Sequence, residues 1–204
     1  MNQKSPNHVL IEGKIINQKE VAALLKAIKP FKEEAERDRA RVHYVNEYFL
    51  VLIGSLTGMR VTEIANVFIG DIGESSIHVV GKGRRARNIP IGKRGRAALD
   101  EFLKIKEEAF NQPTQPNQFL FLNRNGRQMS RHGIAARFRF WISRVGIKRQ
   151  VNFHGLRHGY ATHLLNSGFN IAEVSRFLGH SNVSVTSVYL HLTPSTLDRV
   201  NAVL

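Results

Sequence analysis

Apolar positions along most of this chain recur at helical spacing, and in one short region they alternate. From Asn17 to about Lys29, Val21, Leu24, Leu25 and Ile28 fall on one face. Asn17 stands at the N-cap with Glu20 at the reciprocal capping position, and Pro30 marks the expected end. The charged piece Lys32 to Arg41 is expected to run on into an apolar helix ending at Leu56, whose Tyr48, Phe49, Val51, Leu52 and Leu56 suit a core. Thr57-Gly58-Met59 breaks that helix. Ser76 to Val80 alternates and Arg87 to Ile91 is extended, so Gly81 to Arg85 reads as the turn of a β-hairpin. A helix over 93–110, a linker from Asn111 to Asn117 and a short strand from Phe119 to Leu122 follow. Ser130 caps a helix reaching Val145, with Ile134, Phe138, Trp141 and Ile142 inside and Arg131, Arg137, Arg139 and Arg144 outside. Three short helices close the chain: Gly155 to Asn166, Ile171 to Leu178 between Asn170 and Gly179, and one carrying Val183, Val185, Val188 and Tyr189. The predicted class is mainly α with a small antiparallel β-sheet, that is, α+β.

The length of 204 residues suits one domain with a full core. A polar lead occupies residues 1–16, and no apolar run is long enough to cross a bilayer, the longest being Tyr48 to Ile53. No signal-peptide pattern opens the chain, and there is no cysteine, which together point to a cytoplasmic protein. The net charge of +14 is segregated. Residues 76–160 carry 18 Lys and Arg against 4 Asp and Glu, which accounts for the whole excess, and the flanking segments are balanced. Such a distribution is the footprint of a polyanion, with nucleic acid the first candidate.

Several residues carry candidate chemistry. Arg60 follows the helix break directly with Glu63 three positions on, which suits a guanidinium held by a carboxylate for two-point contact with phosphate. Lys82, Arg84, Arg85 and Arg87 lie on or near the hairpin tip, placed to enter a nucleic-acid groove. The phosphate-loop spacing is absent there, so ATP binding is disfavoured. His154 and Arg157 share a face at the head of their helix, where an anion is favoured. His154 and His158 at i,i+4 do not make a zinc-protease site, because Gly155 stands where that motif needs Glu.

Taken together, T-G-M-R-V-T-E at 57–63, G-K-G at 81–83, H-G-L-R-H at 154–158, L-G-H at 178–180 and Tyr189 nine residues later resemble the catalytic domain of the tyrosine recombinase (phage integrase) family. The likeness runs over nearly the whole chain from about Ile15. It implies that Tyr189 is a nucleophile, that Arg60 and Arg157 clamp a scissile phosphate, that His154 and His180 support it, that Lys82 is the hairpin lysine and that Glu63 is the acidic partner of the first arginine. Gly159-Tyr160 replaces the Ser or Thr and apolar residue common in the family after the histidine-arginine motif, which implies altered packing only. Most of the family has an amino-terminal helical domain that closes around DNA, whereas sixteen residues precede the first helix here. The chain is therefore similar either to minimal recombinases that invert fimbrial promoter segments or to a piece of a longer enzyme.

The implied activity is site-specific DNA recombination through a 3′-phosphotyrosine, with no metal, nucleotide or other cofactor. The catalytic unit would span 17–192, with 193–204 a tail helix exchanged between protomers of a DNA-dependent homotetramer. Arg84, Arg85, Arg87, Arg131, Arg137 and Arg139 are the expected DNA contacts, and the expected location is the cytoplasm, at the nucleoid. A non-catalytic helix-turn-helix regulator built on 171–191 is the rival reading from another class, and a tyrosine-based relaxing topoisomerase is the rival within the chemistry.

Overall fold

The computed structural model describes residues 14–35, 38, 41–81, 86–110 and 114–179. Helix α1, Gln18–Ala35, opens with the expected reciprocal cap: Asn17 Oδ1 accepts from the Glu20 amide and the Glu20 carboxylate accepts from the Asn17 amide, both at 3.0 Å. Its far end departs from expectation, because the helix runs through Pro30 for another turn. An interior proline costs roughly 3 kcal/mol, and the packing of that last turn offsets it. Ala35 is buried, Phe31 packs on Tyr44 and Trp141, and the buried Lys32 donates to Glu101 at 2.8 Å with its ammonium over the rings of Tyr48 and Phe49. Of the charged piece that follows, Asp38 is non-helical and α2 begins afresh as His43–Thr57, so the two are separate helices.

Helix α2 is largely apolar, with Asn46 and Glu47 among its buried exceptions, because it is packed on all sides. Val45, Phe49, Leu50, Val51 and Ile53 are buried, and α1, α4, α5 and α6 pack around it. Gly58 then ends α2 in the left-handed region, at φ 60°, its amide bonded to the Gly54 carbonyl. Helix α3, Val61–Asn66, and a 3₁₀ turn at Ile69–Asp71 lead to the hairpin. Strands β1, Ser76–Val80, and β2, Ala86–Pro90, pair antiparallel from Ser76 with Pro90 to Val80 with Ala86, burying Ile77, Val79 and Ile89.

Helix α4, Gly92–Phe110, crosses α2 and buries Leu99 and Phe102. The expected strand from Phe119 to Leu122 is instead a pair of isolated bridges, Phe68 with Phe119 and Leu122 with Gln128. Its two ends pair with different loops, so no ladder propagates, although Leu120 and Phe121 are fully buried. Helix α5, Arg131–Arg144, starts at Ser130, whose hydroxyl accepts from the Gly133 amide at 3.1 Å. Helices α6, His154–Asn166, and α7, Ile171–Leu178, share a smaller core of Tyr160, Ala161, Leu165, Val174 and Leu178.

The lead-in to α1 is pinned across α6. The Ile16 amide donates to the Gly155 carbonyl at 3.1 Å, and a Cβ at Gly159 would lie 2.1 Å from the Ile16 carbonyl oxygen. Gly159 therefore allows a close backbone approach, while the Tyr160 ring lies against Gly58. No helix among the described residues is long and apolar enough to cross a membrane.

Candidate active site

The site is built around one buried carboxylate. Arg60 is the N-cap of α3. Its amide donates to Glu63 Oε2 at 2.8 Å and its Nη1 to Glu63 Oε1 at 2.7 Å, so Glu63 one turn later holds both the backbone and the side chain of Arg60. The expected pairing of these two residues is present. A second guanidinium reaches the same carboxylate: Arg87 Nη1 lies 2.7 Å from Oε1 and Nη2 lies 2.9 Å from Oε2. With 1% of its side chain exposed, Glu63 would lose its charge if unpaired. Burial pushes its carboxyl up, and the Arg87 and Arg60 interactions outweigh this and hold it at about 2.

The position of Arg87 corrects the expectation of a cation facing outward near the hairpin tip. Its side chain is 14% exposed and points inward. The reason is the strand period: Arg87 is two residues before the buried Ile89, on the same face of β2.

Three arginines from different elements converge on the C-terminus of α7. Arg87 Nε donates to the Phe177 carbonyl at 3.1 Å, Arg157 Nη2 to the Leu178 carbonyl, and Arg60 Nη2 to the Gly179 carbonyl at 3.1 Å. These carbonyls lack intrahelical partners and carry the negative end of the helix dipole, so cations there are favoured. Arg157, 1% exposed, also donates from Nη1 to the Gly58 carbonyl at 3.0 Å, tying the break after α2 to the end of α7. Gly179 turns the chain at φ 63°, and a Cβ there would come within 2.8 Å of Arg87 Cδ.

His154 opens α6 above this cluster. Its residue is solvent-accessible, yet the protein packed around the ring, together with the Arg157 and Arg60 charges, pushes its pKa down to about 4. His158, half-buried with its ring edge-on to His154 at 4.7 Å, is pushed to about 4 by burial, His154, Arg157 and Lys14. Both imidazoles are therefore neutral near pH 7, and a neutral imidazole can accept a proton. Among the described residues no three His, Cys, Asp or Glu side chains are grouped as a metal site would need.

Arg60, Glu63, Arg157 and His154 thus stand together. Lys82, Arg84, Arg85, His180 and Tyr189 lie outside the described residues. Of the expected DNA contacts on α5, Arg131 and Arg139 are exposed, whereas Arg137 is committed inward. Its Nε and Nη2 lie 2.5 and 3.0 Å from the two oxygens of Glu47, which is 2% exposed and also accepts from Trp141 Nε1. A carboxylate on the buried helix α2 needs that counter-charge. A groove of about 270 Å³, lined by Leu25, Leu56, Leu156, Tyr160 and neighbours, is bordered by none of Arg60, Arg87 or Arg157.

The described site is a cluster of guanidinium groups with a neutral imidazole beside it, and each terminal guanidinium nitrogen is held by a carboxylate or a backbone carbonyl. Arg60 keeps 29% of its side chain exposed, although Nη1 is held by Glu63 and Nη2 by the Gly179 carbonyl, so it is the arginine of the clamp that reaches solvent.

The profile of the Phage integrase family matches residues 14–196. The tyrosine recombinase XerD of Listeria innocua serovar 6a is 31% identical over 199 residues, covering 97% of this chain and 64% of that protein. The tyrosine recombinase XerC of Haemophilus ducreyi is 36% identical over 146 residues, 71% of this chain and 47% of that protein. The crystal structure of XerA recombinase superposes with a TM-score of 0.71 at 28% identity, covering 92% of this chain and 64% of that one. XerH recombinase bound to a palindromic difH substrate gives 0.72 at 24% identity over 98% of this chain and 55% of that one, a likeness of fold. The chain thus spans about half to two thirds of the length of these relatives.

Proposed function

The chain belongs to the phage integrase family, and from that membership we propose that it is a site-specific DNA recombinase, with residues 17–192 forming its breaking and rejoining unit. The observation that carries this reading is the convergence of Arg60 and Arg157, from segments about a hundred residues apart, on the end of α7, with His154 close enough for its pKa to be lowered by both charges.

The Tyr189 hydroxyl attacks the scissile phosphorus as its proton passes to the neutral His154. Negative charge then builds on the non-bridging oxygens, which Arg60, Arg157 and His180 stabilise. One well-aimed donor of this kind is typically worth roughly 3 to 4 kcal/mol. As the phosphorus–oxygen bond to the 5′ side breaks, Lys82 protonates the departing oxygen. The product is a 3′-phosphotyrosine that keeps the phosphodiester energy, so a 5′-hydroxyl from a second strand reverses the step with no outside energy source. A phenol with an ordinary pKa near ~10 needs this cationic setting to react at neutral pH.

The excess positive charge of residues 76–160 supports double-stranded DNA as the partner, and a DNA partner supports a location at the nucleoid. Residues 193–204, with Thr193 and Pro194 suited to a helix start and an apolar stripe of Leu197, Val200 and Val203 or Leu204, are too short a helix to stand alone. They dock on a neighbouring protomer and close a tetramer across two DNA sites.

The test is covalent capture. A pool of labelled duplexes, each nicked just beyond a randomised core so that cleavage releases a short fragment, is incubated with the protein and resolved under denaturing conditions. Label carried by the wild-type protein and lost in Tyr189→Phe supports the reading. Label carried equally by both variants removes Tyr189 as the nucleophile.

A further inference from the structure

Glu63 accepts four hydrogen bonds, and two come from Arg87, a residue with no role in the chemistry above. We propose that Arg87 is a positioning residue that sets the fork of Arg60 through Glu63 and fixes the end of α7 through the Phe177 carbonyl, so that the hairpin strand and Arg60 are registered on one carboxylate and, through α7, on the helix end that Arg157 also holds. This rests on the recombinase reading above.

The geometry supports it in three ways. First, Glu63 Oε1 is shared between Arg60 Nη1 and Arg87 Nη1 at 2.7 Å each, so a displacement of either guanidinium is transmitted to the other. Second, the carbonyls of Phe177, Leu178 and Gly179 are taken in order by Arg87, Arg157 and Arg60, and the next residue in the chain is His180. Arg87 therefore makes the first of three hydrogen bonds that orient the chain toward a proposed catalytic histidine. Third, Arg87 follows residues 82–85 closely on β2, so the same side chain ties the base of the hairpin bearing Lys82 to the site. A lysine in its place would supply charge without the planar fork that meets both oxygens of Glu63.

The position of Arg87 also separates this role from direct binding of DNA. Both of its terminal nitrogens are spent on the two oxygens of Glu63, which neutralises its charge, its Nε is spent on the Phe177 carbonyl, and its side chain is 14% exposed; Arg157 meets only carbonyls in the bonds described above. A residue spent in this way changes the rate of cleavage and leaves affinity alone. Removing a residue that binds phosphate would weaken binding and lower the salt slope of log K by about 0.9.

The experiment uses the full chain and a nicked duplex recovered from the randomised pool by wild-type capture. Arg87→Met, Arg87→Lys, Glu63→Gln and Arg87→Met/Glu63→Gln are compared in single-turnover cleavage across pH, in duplex affinity across salt, and in thermal unfolding. Expected for Arg87→Met is a fall in cleavage rate on the order of 100-fold, as for reacting groups misplaced by about an ångström. Its affinity and salt slope stay at the wild-type values, and Arg87→Lys is intermediate. The acid limb of the Arg87→Met rate profile moves to higher pH, because Glu63 then faces only Arg60 on its own helix, with Arg157 and His154 nearby on α6. That movement disappears when Glu63→Gln is added.

The double variant buries no unpaired charge, so it keeps the comparison open where Arg87→Met folds poorly; its loss should match that of Glu63→Gln alone. Cleavage at the wild-type rate in Arg87→Met, or losses in the double variant that multiply, overturns the positioning role. So does weakened affinity with a shallower salt slope. Absence of any covalent capture by the wild-type protein instead refutes the recombinase reading and takes this inference with it.

Discussion

The ring of Tyr160 lies so close over Gly58 that a Cβ built there would meet Tyr160 Cδ1 at 2.5 Å, and the same glycine turns the chain at φ 60°. Both facts bear on the site, because the Gly58 carbonyl accepts from Arg157 and Arg60 follows two residues later. Gly58→Ala should cost about 1–3 kcal/mol through left-handed strain and overpacking. Urea unfolding should show a lower midpoint at unchanged slope. Cleavage should fall beyond what the smaller folded fraction explains, since the Arg157 anchor moves. A midpoint equal to wild type would mean that Tyr160 yields without cost.

Arg137 and Arg139, two positions apart on α5, should separate completely. Arg137→Ala leaves the buried Glu47 carboxylate with only Trp141 as side-chain donor among the described residues and should destabilise by about 2–3 kcal/mol, below the ~3–5 of a fully buried pair because Arg137 is partly in water. Arg139→Ala should leave stability within about 0.5 kcal/mol, as is usual at the surface. If α5 faces DNA, only Arg139→Ala should flatten the salt dependence of binding. Measuring unfolding midpoints beside binding isotherms decides both points.

The two imidazoles of α6 predict a pH dependence of stability. Their folded pKa values of about 4 lie below the ordinary histidine value, so the unfolded chain binds protons first as pH falls. Their contribution to stability should therefore be level above about pH 7 and fall steadily from about 6.5 toward 4. Glu63, held at about 2, is depressed in the other charge class: its contribution is complete above about 4.5 and is lost as pH falls toward 2. His158→Asn should remove part of the slope between 6.5 and 4 in urea titrations. A slope identical to wild type would mean that His158 titrates alike in the folded and unfolded chain.

Much of this frame is legible in the chain because its signals are local. The Asn17–Glu20 and Asn170–Glu173 caps lie within single turns, and so does the Arg60–Glu63 pair. Gly58 and Gly179 end their helices where the apolar pattern stops. Expectation and structure part where distant packing decides. Pro30 stays inside α1 because α2 and Glu101 hold the next turn, and Arg137 turns inward because Glu47, 90 residues away, needs it. Arg87 is within reach of the sequence: extending the alternation back from Ile89 puts it on the inner face. Its partner Glu63, 24 residues earlier, is not. His180, Tyr189 and the hairpin tip carry the strongest motif signals and lie outside the described residues.

The hairpin cations and the tail give separate expectations. Reversing the charge of Arg84 and Arg85 should lower the salt slope of binding by roughly 0.9 for each phosphate that is no longer neutralised. Truncation after Leu192 should spare cleavage of a single half-site and abolish recombination of paired sites, read from the product topology. Paired-site recombination at the wild-type level would mean that residues 193–204 do not join protomers.

Covalent chemistry at Tyr189 is the step on which the recombinase reading depends most. The direct measurement is to capture the protein on a nicked duplex, digest the DNA to the last nucleotide, and map the adduct by peptide mass spectrometry. Expected is one modified peptide, spanning Tyr189, with the phenolic oxygen esterified to a 3′-phosphate, together with a free 5′-hydroxyl on the released fragment. An adduct on any other residue, or a 5′-phosphoryl linkage to the protein, would contradict that chemistry.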